Sequence, residues 1–283
     1  MCGQDRTKAP GFCGMSDKIK IARAALHMWE EPPISGERGS GAVFFSGCSL
    51  RCVFCQNFEI SQKFKGYFIS ESELADEFLR LRDMGAENIN LVSPTPFLPS
   101  VMRALDKVKH RLGVPVVMNS GGYERISTIK ALNGYIDVYL PDIKYYSEDL
   151  SLKYSGAKDY PSTAFRAVKE MVNQVGKPML DERGIIKKGV IVRHLILPGG
   201  RKDSEAVIMK LGKIFQRDEI LLSLMRQYEP MNRAFEYKEL SRKVSTFEYN
   251  FVLAAAQSIG FDGFTQEAAS ANSVFTPEFY DKR

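Results

Sequence analysis

The chain has 283 residues, 44% hydrophobic and 26% charged, enough to bury one sizeable core in a single domain. Its formal net charge of +5 is spread over segments of mixed sign, without a Lys/Arg block or a nucleic-acid-binding motif, so no DNA or RNA partner is expected. No apolar run approaches the ~18 residues that span a bilayer, and the first residues lack the charged and apolar regions of a signal peptide, so a cytoplasmic protein without membrane association is expected.

Residues 1–16 are rich in Gly, Pro and polar residues and read as loop, with Cys2 and Cys13 too far apart to make a site alone. Asp17–Trp29 reads as a helix with Ile21, Ala25 and Met28 on one face, stopped by Pro32-Pro33. His27 is expected to be a surface or packed residue. These segments form an N-terminal loop and helix extension, 1–35, ahead of a core spanning 36–283 with a C-terminal extension. The apolar run Ala42–Phe45 then reads as a short buried strand, and directly after it Cys48, Cys52 and Cys55 are spaced C-x3-C-x2-C. Thiolates this close repel one another unless something positive binds them, and soft sulfur donors favour zinc, Cu(I) or an iron–sulfur cluster. A structural zinc site wants four closed ligands, usually in two pairs, whereas a four-iron cluster held by three cysteines leaves one iron open to a small molecule. Buried inert cysteines, or a zinc site completed by Cys13 or His27, are the competing readings. Five cysteines, three of them clustered, suit a reducing compartment better than a disulfide framework.

Beyond the cysteines, strands and helices alternate. Ser70 with Glu73 has the capping-box spacing ahead of Leu74, Phe78 and Leu81. Asn88–Val92 is a strand, and Leu98, Val101, Met102, Leu105, Val108 and Leu112 mark the next helix. Val114–Met118 and Ile136–Leu140 are further strands, Ile126–Leu132 is helical, and Phe165, Val168, Met171, Val172 and Val175 make another helical stripe. Lys177–Gly189 breaks the rhythm with Pro, Gly and charges, suggesting a peripheral excursion, in hairpin form. Val190–Leu197 is the longest β-branched run, Asp203 or Ser204 is placed to cap a helix bearing Val207, Leu211, Ile214 and Phe215, and Ile220–Leu224 is a sixth strand. Thr246–Ile259 is a final helix closed by Gly260. Continuous apolar strands joined by right-handed crossovers curl into an α/β barrel or wind into an open sheet. A dinucleotide-binding sheet lacks its G-x-G-x-x-G after the first strand, so a barrel is expected.

The cysteine spacing, with Phe54 as the aromatic before the third thiol, resembles the cluster loop of the radical S-adenosylmethionine (SAM) enzymes. Gly36–Gln62 is similar, more closely, to the pyruvate formate-lyase activating enzyme homologues. The resemblance implies a partial (β/α)6 TIM-like barrel as the core, a [4Fe-4S] cluster on Cys48, Cys52 and Cys55, and SAM bound at the open iron. It also implies an oxidoreductase that forms a 5′-deoxyadenosyl radical, an external one-electron reductant such as flavodoxin or ferredoxin, and a protein or peptide substrate. A small-molecule substrate is the alternative. Relatives carry a further C-x-x-C upstream, which this chain lacks.

In β/α barrels catalytic groups gather where strands end, and the unusual residues of this chain collect there. Ser93 and Thr95 occupy the place of the family's Gly-Gly-Glu-Pro segment, which holds the SAM amine, although those letters are missing and Pro96 stands where relatives have histidine. Asn119 and Ser120 correspond to the third-strand polar pair, Asp142 and Lys144 to an Asp-x-Lys motif beside SAM, and Arg193 to the arginine that approaches its carboxylate. His194 is a rim candidate and Phe54 an adenine neighbour. Taken singly, Asn119 to Gly122 read equally as a turn, Asp142 and Lys144 as a structural ion pair, and Arg193 with His194 as a rim network. The third of the chain from Leu221 to Glu267, with Tyr228, Glu229-Pro230 and Gly263–Gln266, is expected to line a different opening and to govern partner choice.

Overall fold

The apolar runs after residue 40 become strands buried on both faces, as expected of a parallel sheet covered by helices. The computed structural model describes residues 3–265 and Phe279. The first half contains β1 (Lys20–His27), α1 (Pro32–Ser35), β2 (Ser40–Phe45), α2 (Phe58–Ser61), β3 (Tyr67–Phe68), α3 (Glu71–Asp83), β4 (Ile89–Val92), α4 (Leu98–Leu112), β5 (Val116–Ser120) and α5 (Ile126–Ala131). It continues with β6 (Val138–Pro141), α6 (Glu148–Ser155), α7 (Tyr160–Val175), β7 (Met179–Leu180), β8 (Ile186–Leu195), α8 (Arg201–Ile214), β9 (Leu221–Met225), α9 (Thr246–Ile259) and β10 (Gly263–Thr265).

One sheet runs in the order β10-β9-β8-β6-β5-β4-β2-β1-β3, with β7 paired to β8. From β2 to β10 along this path every pairing is parallel, and among the described residues the two ends of the path do not pair with each other, so the fold is an unclosed α/β barrel. Two of the expected helices, α3 and α9, begin with a capping box. In α3 the Ser70 hydroxyl accepts from Glu73 N while the Glu73 carboxylate accepts from Ser70 N, and Leu74, Phe78 and Leu81 are fully buried beneath. In α9 Ser245 and Glu248 repeat the device, and Gly260 closes the helix in the left-handed region.

Three segments depart from the sequence expectation. Residues 17–29 do not form a helix: Lys20–His27 is a strand, antiparallel to β2 with Ala24 opposite Val43 and Ala25 opposite Ala42. An alanine-rich stretch favours helix in isolation, but pairing with the exposed edge of β2 satisfies its backbone and covers that edge. The helix α8 starts after Gly200, so neither Asp203 nor Ser204 is its cap. Asp203 instead accepts from Tyr146 N and Ser147 N, fixing the turn that opens α6.

The excursion at 177–189 is a hairpin of β7 on β8, as its composition suggests, but it is not peripheral. Its Arg183 donates to both Glu87 carboxylate oxygens, at 2.8 and 2.9 Å, and Arg38 does the same from the other side at 2.8 and 2.6 Å. The Glu87 side chain is fully buried between the two guanidiniums and joins the chain before β2, the start of β4 and the hairpin. Hydrogen bonds from Arg38, then from Arg183, hold its carboxyl at about 2, below its ordinary 4.5. A depressed carboxyl stabilises the fold fully above 4.5 and loses that contribution as pH falls toward 2. Glu87→Gln is therefore expected to cost about 2 kcal/mol near neutral pH, a modest value because both guanidiniums are half in water, and to flatten the acid limb below pH ~4.5 in urea titrations.

Candidate functional site

The three cysteines lie on the loop that leaves the end of β2. Gly47 opens the loop at φ 79°, and a Cβ there would come within 2.4 Å of Met15 Cγ and 2.7 Å of Cys13 O, so only glycine lets the loop pass under the N-terminal segment. Arg51 N donates to Ser155 O (3.2 Å) and Val53 N to Tyr154 O (2.9 Å), which fastens the loop to the end of α6. The sulfurs are separately supported. Leu50 N points at Cys48 Sγ (3.5 Å), Ser155 Oγ donates to Cys52 Sγ (3.0 Å), and Cys55 Sγ meets Ser61 Oγ (3.3 Å).

All three thiols are free and line one cavity of about 220 Å³. Burial, and then the proximity of Cys52, push Cys48 up to about 12 and Cys55 to about 11; burial also raises Cys52. The bare trio thus resists ionisation and calls for a strongly positive group to become thiolate. Among the described residues no three His, Cys, Asp or Glu side chains gather in a way that would cage a single metal ion. This donor set, all sulfur, supported one atom at a time and facing a common space, fits a polynuclear iron–sulfur cluster bound at three corners.

The rest of the lining includes the ends of four strands. Ser93, after β4, takes the left-handed conformation at φ 58°, while its N–H donates to Asn119 O (2.8 Å). Asn119 and Ser120 end β5, Asp142 and Lys144 follow β6, and Arg193 lies in β8; these six residues and Phe54 share the cavity with the cysteines. Gly122 turns past them at φ 76° because a Cβ would stand 2.1 Å from Asp142 O. The Asp142 carboxylate accepts from Lys144 Nζ (2.5 Å) and Arg193 Nε (2.9 Å). Burial disfavours its charge, but the two cations outweigh burial and hold it below its ordinary value. The same pairing raises Lys144 and Arg193 against burial.

Arg193 has further partners that the motif pattern did not reveal. Its guanidinium donates to Asn119 Oδ1 (2.6 Å) and lies 3.4 Å from Glu30 Oε2, while Glu30 Oε1 accepts from Asn90 Nδ2 (3.2 Å) and Asn119 Nδ2 (3.1 Å). Glu31 follows, buried, accepting from Ser223 Oγ (2.9 Å). Burial raises both carboxyls, and Arg193 partly counters it. The clue in the sequence was Glu30-Glu31 directly before Pro32-Pro33, two acids where a chain dives beneath a sheet. His27, Trp29, Gln56 and Gln227 also line the cavity, and Trp29 is 59% exposed.

Two expected residues lie elsewhere. Thr95 faces a separate hollow, and its hydroxyl donates to Glu124 Oε1 (2.9 Å); Glu124, buried and pushed up to about 7, also receives Ser120 Oγ (3.1 Å). His194 is buried behind the rim, because residues adjacent in a strand point to opposite faces. Its Nδ1 bonds Ile143 O (2.6 Å), and burial lowers it to about 4, so the ring is neutral. Tyr228 is also not an opening residue: it is buried, donates to Leu240 O (2.7 Å) and packs edge-on against Phe54. Glu229 pairs with Lys243, and Gly263–Thr265 forms β10 on the edge of β9. Cys2 and Gln266–Glu267 lie outside the described residues.

Comparison with known proteins agrees with this fold. Residues 42–199 match the family model described as the radical SAM superfamily. An uncharacterized protein, MJ0674, of Methanocaldococcus jannaschii is 29% identical over 271 residues, covering 92% of this chain and 73% of that protein. Among solved structures, a radical SAM methyltransferase from Sphaerobacter thermophilus superposes with a TM-score of 0.54 at 14% identity, covering 80% of this chain and 66% of that one. Streptococcus suis SuiB bound to its precursor peptide SuiA gives 0.52 at 12% identity, covering 78% of this chain and 46% of that one. At such identities the likeness speaks for the fold, and the chain spans less than two thirds of either structure.

Proposed function

Since the family model covers more than half of its length, the chain belongs to the radical SAM superfamily, and from that premise we propose that it is a glycyl-radical-activase-like enzyme acting on a protein or peptide. The observation that carries the SAM-cleaving part is the single cavity that Cys48, Cys52 and Cys55 line together with Asn119, Ser120, Asp142, Lys144 and Arg193. Cys48, Cys52 and Cys55 would hold three irons of a [4Fe-4S] cluster. Lys144 and Arg193 supply cationic donors for the SAM carboxylate, Asp142 and the backbone around Ser93 supply acceptors for its amine, and Phe54 offers a flat apolar wall. When bound, these cofactors supply one-electron cleavage of the C5′–S bond, giving methionine and a 5′-deoxyadenosyl radical that takes a hydrogen atom from the substrate. The protein's part is to orient the reactants and exclude water. A one-electron reductant such as flavodoxin or ferredoxin would provide the electron.

The activase-like part is supported by the likeness of Gly36–Gln62 to the activating enzyme homologues and by the exposed Trp29 on the cavity lining, an aromatic surface of the kind enriched where proteins meet. The test begins with anaerobic purification and reconstitution, followed by dithionite reduction with SAM. The expected result is a brown protein with iron and sulfide that forms 5′-deoxyadenosine, and a glycyl-radical doublet in electron paramagnetic resonance when a glycyl-radical polypeptide is added. A colourless zinc protein overturns the whole reading. Consumption of 5′-deoxyadenosyl equivalents on a small molecule, with no polypeptide radical or mass shift, overturns the activase-like part alone.

A further inference from the structure

Along β2 the side chains part in alternation. Val43 and Phe45 join the main core with Leu74 and Phe78, whereas Ala42 and Phe44 make a smaller apolar cluster with Ala22, Ile60 and Val92 on the other face. Phe44, Ile60 and Val92 also line the cavity that the three cysteines line, as does His27, whose ring meets Phe44 edge-on at 5.8 Å. Part of that cavity is therefore an apolar patch. A residue from far along the chain sits on it. Phe279, beyond β10, packs against this cluster, its ring 5.5 Å from that of Phe44 and inclined at 67°. It remains half-buried there.

The polar groups proposed for SAM, with Phe54 proposed for its adenine, leave this patch without a part of that cofactor to hold. Its chemistry selects a ring, because an edge-to-face pair gains from the quadrupole of each partner, which an aliphatic side chain lacks. Phe279 reaches the patch as part of a polypeptide, so the approach accommodates a backbone together with its ring. A half-buried ring is held less firmly than a fully packed one, and a ring arriving on another polypeptide can replace it.

Resting on the reading that the substrate is a protein or peptide, we propose that this patch is the subsite for an aromatic side chain of that substrate, and that Phe279 occupies it until the substrate arrives. An aromatic residue anchored there lies on the lining of the cysteine cavity, so the residues beside it in the substrate are presented to the space proposed for hydrogen abstraction. The exchange makes and breaks no covalent bond. A seat filled about nine-tenths of the time by Phe279 weakens the apparent binding of a substrate about tenfold, since apparent affinity scales with the fraction of open seats.

The test uses the cluster-loaded full chain with SAM present and no reductant, so that nothing turns over. Calorimetry follows the binding of acetyl-Gly-Gly-Phe-Gly-Gly-amide, of the same peptide with Ala in place of Phe, and of acetyl-phenylalanine amide. Phe279→Ala is expected to bind the Phe peptide about tenfold more tightly than the wild type does, while the Ala peptide gains nothing. Phe279→Tyr, which keeps a ring, should bind the Phe peptide as the wild type does, and adding Phe44→Ala to Phe279→Ala should remove the gain. Phe279→Leu, which fills the space without a ring, should shift in the same direction as Phe279→Ala and serves if that variant does not fold. Equal affinity of the Phe peptide for the wild type and for the ringless variants, or an equal gain for the Ala peptide, overturns the subsite. Tighter binding of SAM in place of the peptide would assign the patch to adenine, and a gain for acetyl-phenylalanine amide without one for the peptide would assign it to a small aromatic molecule; either overturns the proposal. The reading beneath it fails separately. Absence of dithionite-driven 5′-deoxyadenosine from the wild type removes SAM cleavage, and product without a radical or mass shift on a polypeptide removes the protein substrate, whatever calorimetry shows.

Discussion

Cys52→Ala is expected to lower 5′-deoxyadenosine formation by at least about a thousandfold, equivalent to about 4 kcal/mol of activation free energy, with the same result for Cys48→Ala and Cys55→Ala. In the proposed site the three thiols act as a unit, so losing any one would remove a corner of the cluster and the losses would not add. The sharper comparison is Cys13→Ala. Cys13 lies in the N-terminal segment that packs on Gly47, and among the described residues its Sγ has a distant contact with Met15 O at 4.0 Å. If the site is open, Cys13→Ala keeps its iron, its sulfide and its activity. Should Cys13→Ala lose metal as completely as the other three, four sulfurs close the site and no iron is left for SAM. Ser155→Ala provides an intermediate case. It deletes the hydroxyl that donates to Cys52 Sγ, and hydrogen bonds to a ligand sulfur raise the potential of an iron–sulfur centre. Its cluster should therefore assemble normally and be harder to reduce, a shift seen in a redox titration.

The barrel was legible because parallel strands covered on both faces must be continuously apolar, and Val43–Phe45, Leu91–Val92 and Val190–Val192 are. The cysteine loop was legible because its spacing is local. What failed was whatever depends on partners distant in sequence. Lys20–His27 carries a helical spacing of apolar residues, and its strand state is decided by β2, which no local pattern encodes. Glu30 became a site residue through Asn90, Asn119 and Arg193, up to 163 residues away. Thr95 and His194 were placed correctly near strand ends but on the wrong face: Thr95 turns to Glu124, and His194, next to Arg193, must point away if Arg193 points in. The hairpin at 177–189 looked dispensable by composition, and only its contact with Glu87 shows otherwise.

Arg193→Leu separates the structural role of one side chain from the SAM-binding role proposed for it. In the fold, Arg193 is the cation between Asp142 at 2.9 Å and Glu30 at 3.4 Å, with all three side chains largely buried. Its removal leaves Lys144 to neutralise Asp142 and leaves Glu30 with amide donors alone. Breaking a buried pair from one side costs about 3–5 kcal/mol, roughly 10 °C in Tm for a chain of this size. The cost should depend on pH in a set direction. Burial already raises the Glu30 carboxyl above its ordinary 4.5, and Arg193 opposes this, so the variant raises it further. A raised carboxyl binds more protons folded than unfolded, hence the variant's deficit grows as pH rises past 4.5 and shrinks as pH falls toward it. Adding Glu30→Gln removes the unpaired acid, and urea denaturation should show Glu30→Gln/Arg193→Leu regaining most of the lost stability at pH 7.5. SAM binding by equilibrium dialysis should not recover, because the donor proposed for its carboxylate is still missing. Recovery of stability and of SAM binding together would mean that Arg193 serves the barrel alone, and Lys144 would then be the cation proposed for the carboxylate.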